Sequence, residues 1–113
     1  MKFVFDLDGT LCFDGMTMSK DLQKVLLTAP KYGHEIIFAT ASSYRDCLSI
    51  LEGELRKLTV VSLNGGEVFQ DERLVSQYRI PSSALRTIVS YCDIYNLPYF
   101  IDDTFNYAIQ NSE

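Results

Sequence analysis

Two carboxylates two residues apart, Asp6 and Asp8, sit in the segment Asp6-Leu7-Asp8-Gly9-Thr10-Leu11, directly after the apolar run Phe3-Val4-Phe5. On an extended backbone, side chains at i and i+2 point the same way, so both acids can face one small volume. Like charges held that close repel unless a proton or a cation lies between them. An all-oxygen pair suits a hard divalent ion such as Mg²⁺. The segment therefore reads as a magnesium site beside a carboxylate able to act as nucleophile or proton carrier. A solvated acidic turn capping the next helix is the competing reading. The hydrophobic strand before it and Gly9-Thr10 behind it speak against that.

Two more polar clusters follow apolar runs: Thr40-Ala41-Ser42-Ser43 after Ile36-Ile37-Phe38, and Asn64-Gly65 after Leu58–Leu63. Thr40 and Ser42 bring hydroxyl donors, and the helix expected after them would present free N–H groups and a positive dipole end to an anion. A metal-binding carboxylate pair next to an anion-holding segment is what a phosphoryl group needs. Plain helix capping at Thr40–Ser43 and a simple tight turn at Asn64-Gly65 are the alternatives.

The elements that must position these residues have a clear rhythm. Residues 2–7 read as a strand, apolar on both faces and therefore interior to a sheet covered on both sides. Gly9–Met18 is a loop or flap carrying Asp14. Ser19 caps a helix through Leu22, Val25, Leu26 and Ala29. His34–Ala39 is a second strand, with His34 itself an exposed turn residue. Ser43 and Asp46 form a capping box for a helix to about Leu51. Leu58–Leu63 is a third strand. Strand, helix, strand, helix, strand implies an α/β fold with a parallel sheet and right-handed crossovers, whose ligand sites lie beyond the carboxyl ends of the strands. All three polar clusters fall at such ends.

After Gly65-Gly66 the pattern changes. Glu67–Gln70 and Leu74–Ile80 alternate around Asp71-Glu72-Arg73 as a solvent-facing hairpin should. Pro81-Ser82-Ser83 opens a helix through Leu85, Ile88 and Val89, and Tyr99–Asp102 and Phe105–Ile109 read as two strands joined by a turn. Residues 1–65 are thus a first unit and 66–113 a second, α+β unit, with the glycine pair as hinge.

Bulk properties narrow the function. A chain of 113 residues is the size of one ordinary domain. Its net charge of −5 and the lack of a Lys/Arg cluster argue against a nucleic-acid surface. No apolar run approaches a membrane span, and the chain enters a strand without a signal peptide. Cys12, Cys47 and Cys92 offer neither a disulfide framework nor a zinc pattern, which suits a reducing cytoplasm.

With these residues in view, the chain resembles the haloacid dehalogenase-like (HAD) hydrolase superfamily, and within it the Cof-like sugar-phosphate phosphatases with a type IIB cap. Asp6-Leu7-Asp8-Gly9-Thr10-Leu11 matches the first motif in full, Ile36-Ile37-Phe38-Ala39-Thr40 the second, and Asn64-Gly65-Gly66-Glu67-Val68 the junction between core and cap. The family continues its second motif as Thr-Gly-Arg, whereas this chain has Thr40-Ala41-Ser42, so the family's arginine contact does not carry over. The resemblance implies a partial Rossmann-like, three-layer parallel core followed by part of an α+β cap. It implies that Asp6 is the nucleophile forming an aspartyl-phosphate and a Mg²⁺ ligand. Asp8 would protonate the leaving alcohol, activate water and give its backbone carbonyl to the metal. Thr40, Ala41 and Ser42 would hold the phosphoryl oxygens of a small phosphorylated substrate, and Asn64 and Gly65 would serve substrate and hinge.

The family's later lysine and its Gly-Asp-x-x-Asn-Asp motif have no counterpart: no lysine follows Asn64, and Asp102-Asp103 is better explained as a turn. The chain is therefore expected to be the N-terminal part of a longer hydrolase, with weak Mg²⁺ binding and slow or absent turnover. Without the family's further strands, residues 2–7 would present an apolar edge, and self-association is expected. A phosphomutase of the same fold and a non-catalytic phosphate-binding or interaction fragment are the alternative functions. A receiver domain fits less well, since its acceptor aspartate follows a later strand.

Overall fold

The computed structural model of the chain describes residues 1–104 and 107–110. A five-stranded sheet runs in the order β1 (Lys2–Phe5), β2 (Glu35–Ala39), β3 (Thr59–Ser62), β4 (Glu67–Gln70), β5 (Arg73–Gln77). The first three strands are parallel, with Phe3 opposite Ile36 and Phe38 opposite Val60. Parallel neighbours need crossovers, and these carry α1 (Lys20–Thr28) and the short α2 (Tyr44–Cys47). Beyond them lie α3 (Ser82–Ile94) and a separate antiparallel pair, β6 (Tyr99–Asp102) with β7 (Tyr107–Gln110). The architecture is a mixed five-stranded α/β sheet of partial Rossmann-like form.

Local chemistry accounts for most elements. α1 begins where the Ser19 hydroxyl accepts the Leu22 amide at 3.3 Å, and Leu26 on its inner face is buried. Asp71 and Glu72, at φ 51° and 64°, both adopt the left-handed region, the twist that a two-residue hairpin between β4 and β5 demands. One sheet face is packed, with Ile36, Phe38, Val60 and Phe69 buried along it. On the opposite face Ile37, Val61 and Val68 are half-buried and Val4 is exposed. The core gathers Leu7, Leu26, Phe38, Leu51, Leu55 and Val60.

Several expectations change. The composition of residues 2–7 suggests an interior strand, yet β1 is the sheet's edge, as expected for a chain without the further strands: it pairs on one side with β2 and leaves Phe3 37% and Val4 62% exposed. Its apolar composition reflects a ladder and a face that the described residues do not cover. The second helix stops after Cys47 rather than near Leu51. Cys47's carbonyl takes the amides of Ile50 and Leu51 at 3.0 and 2.8 Å, and the turn drives both side chains into the core. The solvent-facing hairpin expected over Glu67–Gln70 and Leu74–Ile80 forms as β4 and β5, its second strand running Arg73–Gln77, and extends the core sheet. Val60 pairs with Phe69 and Ser62 with Glu67, and the Phe69 ring stacks on Tyr44 of α2 with centroids 3.7 Å apart. Its start alternates because one face is core, and Glu67 is buried with its carboxylate accepting from Gln77 and Thr104. His34 is half-buried, its ring edge-on to Phe3. The last strand begins at Tyr107; Phe105 and Asn106 lie outside the described residues.

Candidate active site

The loops leaving β1, β2 and β3 meet at the carboxyl ends of adjacent parallel strands. The first turns at once. Leu7, 1% exposed, is anchored in the core, and its carbonyl accepts the amides of Thr10, Leu11 and Cys12 at 3.2, 2.9 and 3.0 Å. Gly9, at φ +80°, supplies the left-handed residue this reversal needs. Burying Leu7 leaves its neighbours Asp6 and Asp8 outside, and both are exposed. Among the described residues neither carboxylate enters an ion pair.

The second loop closes on the first. The Ser42 hydroxyl donates to Asp8 Oδ2 at 3.3 Å, while the Ser42 amide donates to Thr40 Oγ1 at 3.1 Å. The third loop is tied to the second through its backbone: Asn64 N–H donates to the Thr40 carbonyl at 3.1 Å, and Leu63 N–H to that of Ser42 at 2.9 Å. To make those bonds Leu63 and Asn64 take φ values of 50° and 55°, ahead of Gly65 at 96°. Left-handed non-glycine residues in succession store strain, the kind that persists where surrounding structure enforces it.

Two adjoining open cavities result, of about 460 and 470 Å³. Asp8, Ser42, Arg45 and Cys47 help line the first; Asp6, Ala41, Asn64 and Gly65 help line the second; Thr40, only 7% exposed, borders both. The structure thus gathers Asp6, Asp8, Thr40, Ala41, Ser42, Asn64 and Gly65 around these cavities, with Asp6 lining one, Asp8 the other and Thr40 both. With α2 reduced to one turn, its dipole adds little, and the Asp46 amide there is already taken by the Ser43 hydroxyl at 3.2 Å. The lining groups able to donate to an anion include the Thr40 and Ser42 hydroxyls and Arg45.

Sequence reasoning missed Arg45. Its Nε pairs with Asp46 at 3.1 Å and its Nη2 with Asp102 at 3.2 Å. Asp102 is therefore the last residue of β6 engaged with α2, not a simple turn acid; Asp103 accepts the Thr104 amide at 2.8 Å and shapes the turn. The nearest signal was Arg45's place three residues after Ser42, which puts it beside the second loop. Asp14 holds the flap. It accepts the amides of Thr17 and Met16, the Thr17 hydroxyl and the Cys12 thiol, and these bonds, the Thr17 amide foremost, hold its carboxyl far below the usual carboxylate range. The Cys47 thiol is pushed up to about 12 by burial first, then by the nearby charges of Asp8 and Asp46.

Among the described residues no three or more His, Cys, Asp or Glu side chains converge as a metal-binding group. Mg²⁺ asks less of a protein, since it retains several waters and takes one or two carboxylates together with substrate phosphate. Asp6 and Asp8, exposed and outside any described ion pair, fit that donor set.

Residues 3–113 match the family model of the haloacid dehalogenase-like hydrolases. No curated protein matches the chain. Among solved structures, it is similar to a haloacid dehalogenase-like hydrolase from B. subtilis, with a TM-score of 0.75 and 29% identity over 88% of this chain and 35% of that one. A HAD-superfamily phosphatase from Bacteroides thetaiotaomicron aligns with a TM-score of 0.79 at 20% identity, over 96% of this chain and 40% of that one. A subclass IIB sugar phosphatase of the superfamily aligns at 0.72 and 20%, over 96% and 43%. Identities of 20% speak for the fold alone. The chain spans less than half the length of each of these structures. A family match that begins in β1 and reaches the last residue, on a sheet shared with those structures, makes the chain a member of the haloacid dehalogenase-like hydrolases.

Proposed function

We propose that this chain belongs to a Mg²⁺-dependent phosphatase that hydrolyses a small, sugar-phosphate-like ester through an aspartyl-phosphate on Asp6. The observation that carries the reading is the bond from Ser42 to Asp8, 3.3 Å, across adjacent loops around the shared Thr40. It brings a nucleophile, a proton carrier and hydroxyl donors to one end of the sheet. In the first step an Asp6 oxygen bonds to phosphorus as the bond from phosphorus to the ester oxygen breaks. Asp8 gives its proton to the departing alcohol. In the second step water attacks the aspartyl-phosphate, Asp8 takes its proton, and phosphate leaves with Asp6 restored. Thr40 and Ser42 offer hydroxyls to the phosphoryl oxygens, with the Ala41 and Asn64-Gly65 backbone as the wall. A bound Mg²⁺ held by Asp6 and Asp8 would offset phosphoryl charge.

The segment from α3 through β7 is assigned to the cap that faces the leaving group. The core then extends from residues 1–65 through β5, because β4 and β5 are hydrogen-bonded into its sheet. A further copy of the chain is the proposed partner at the open β1 edge. Cys12, Cys47 and Cys92 are all free thiols, which accords with a cytoplasmic setting.

Hydrolysis of p-nitrophenyl phosphate with Mg²⁺ tests the mechanism. The wild type is expected to turn over slowly and Asp6→Asn to fall to background; equal rates would remove Asp6 from its role. The second reading, a non-catalytic phosphate-binding fragment, is favoured by the placement of Asp6 and Asp8 along separate cavities. Calorimetry with Mg²⁺ and beryllofluoride separates the two, since only a competent acceptor aspartate takes up the beryllofluoride.

A further inference from the structure

Arg45 is the one lysine or arginine, among the described residues, that lines either cavity. The other charged groups there, Asp6, Asp8 and Asp46, are all acidic. An anion entering this space meets carboxylates on several sides and a single guanidinium. Planar guanidinium groups bind oxyanions through paired N–H bonds, which makes Arg45 the natural counter-group.

Arg45 is also engaged elsewhere. Its Nη2 donates to Asp102 Oδ1 at 3.2 Å, a pair separated by 57 residues and only 26% and 18% exposed. Asp102 ends β6, in a two-stranded sheet with no ladder to the five-stranded one among the described residues. The bond therefore links a cavity-lining residue of the core to a strand of the second unit. A carboxylate and a phosphate present the same kind of oxygen fork to a guanidinium, so they compete for it.

We propose that Arg45 is the oxyanion-binding residue of this cavity and that it takes up a phosphate group by exchanging Asp102 for it. Asp46, at 3.1 Å from Nε, keeps the side chain on α2 while Nη2 changes partner. Filling the cavity then loosens the tie to β6, and a firm tie to β6 weakens anion binding; such coupling is reciprocal. This rests on the reading of the cavity as a phosphate site, but it does not require turnover.

Titration of the full chain with inorganic phosphate, followed by calorimetry, tests it, with hydrogen exchange read at residues 99–102. The wild type is expected to bind phosphate and to exchange faster at β6 when saturated. Arg45→Gln is expected to lose about tenfold or more in affinity, and Arg45→Lys less. Asp102→Asn is expected to bind phosphate several-fold more tightly, because the competing charge is gone. A merely structural ion pair would give no gain in Asp102→Asn, and that outcome overturns the exchange. Phosphate binding that is absent in the wild type, or unchanged in Arg45→Gln, overturns the role of Arg45. Loss of hydrolysis in Asp6→Asn together with unchanged phosphate affinity in Arg45→Gln would sink this inference and leave the proposed mechanism standing. Circular dichroism confirms that each variant folds.

Discussion

Ser42 reaches Asp8 with a hydroxyl at 3.3 Å, and that bond does two things. It orients the carboxylate, and it links the loop after β1 to the loop after β2. Ser42→Ala removes one hydrogen bond of about 1 kcal/mol. The expected result is a several-fold fall in p-nitrophenyl phosphate turnover with the melting temperature nearly unchanged. The thiols give a chemical test of burial. Cys47, pushed up to about 12, stays protonated and shielded at pH 8, so it resists iodoacetamide. Cys12 is buried as well, whereas Cys92 is half-buried and should be alkylated first, as peptide mapping would read. Asp14 lies on the opposite side of its ordinary value. Its folded-state pKa is lowered, so the carboxylate's contribution to the flap is present above the unfolded value and is lost only in strong acid, as pH falls through the folded value. Asp14→Ala is expected to speed hydrogen exchange at the Met16 and Thr17 amides at neutral pH.

At the scale of elements, β2 is the central support of the site. It pairs with β1 and β3, and its Phe38 is fully buried. Phe38→Ala is expected to cost about 3–5 kcal/mol in urea unfolding, the usual consequence of an aromatic cavity in a core. α2 contributes by position rather than by length. One turn suffices to bring Tyr44 against Phe69 and Arg45 to the cavity wall. The Leu48–Leu51 stretch has helical spacing, and nothing local distinguishes a continuing helix from a turn that buries Ile50 and Leu51. The reversal at Cys47 becomes visible only with the core those residues enter.

For the whole molecule, the open question of surface is the β1 edge. Val4 is 62% exposed and Phe3 37%, and on one side the strand has no partner among the described residues. Such edges recruit other strands. Self-association through β1 is expected to appear as concentration-dependent sedimentation, and Val4→Lys is expected to shift it toward monomer. A wild type that stays monomeric across the concentration range would remove the proposed contact.

The amino-acid sequence alone placed Asp6, Asp8, Thr40 and Asn64-Gly65 at the ends of strands. Those positions were legible because each depends on a strand, a turn and a few adjacent residues, which are local matters. The hairpin at 67–77 was legible as a hairpin for the same reason, since Asp71-Glu72 is a two-residue turn. Its membership in the core sheet was not. That depends on Val60 finding Phe69, a pairing that alternation along a single strand cannot specify. Only the tertiary structure decided that Asp6 and Asp8 line separate cavities that share Thr40. The contact of Arg45 with a carboxylate 57 residues away was decided there too. Each of these is a meeting of distant segments, settled by which buried faces fit together rather than by the preferences of neighbouring residues.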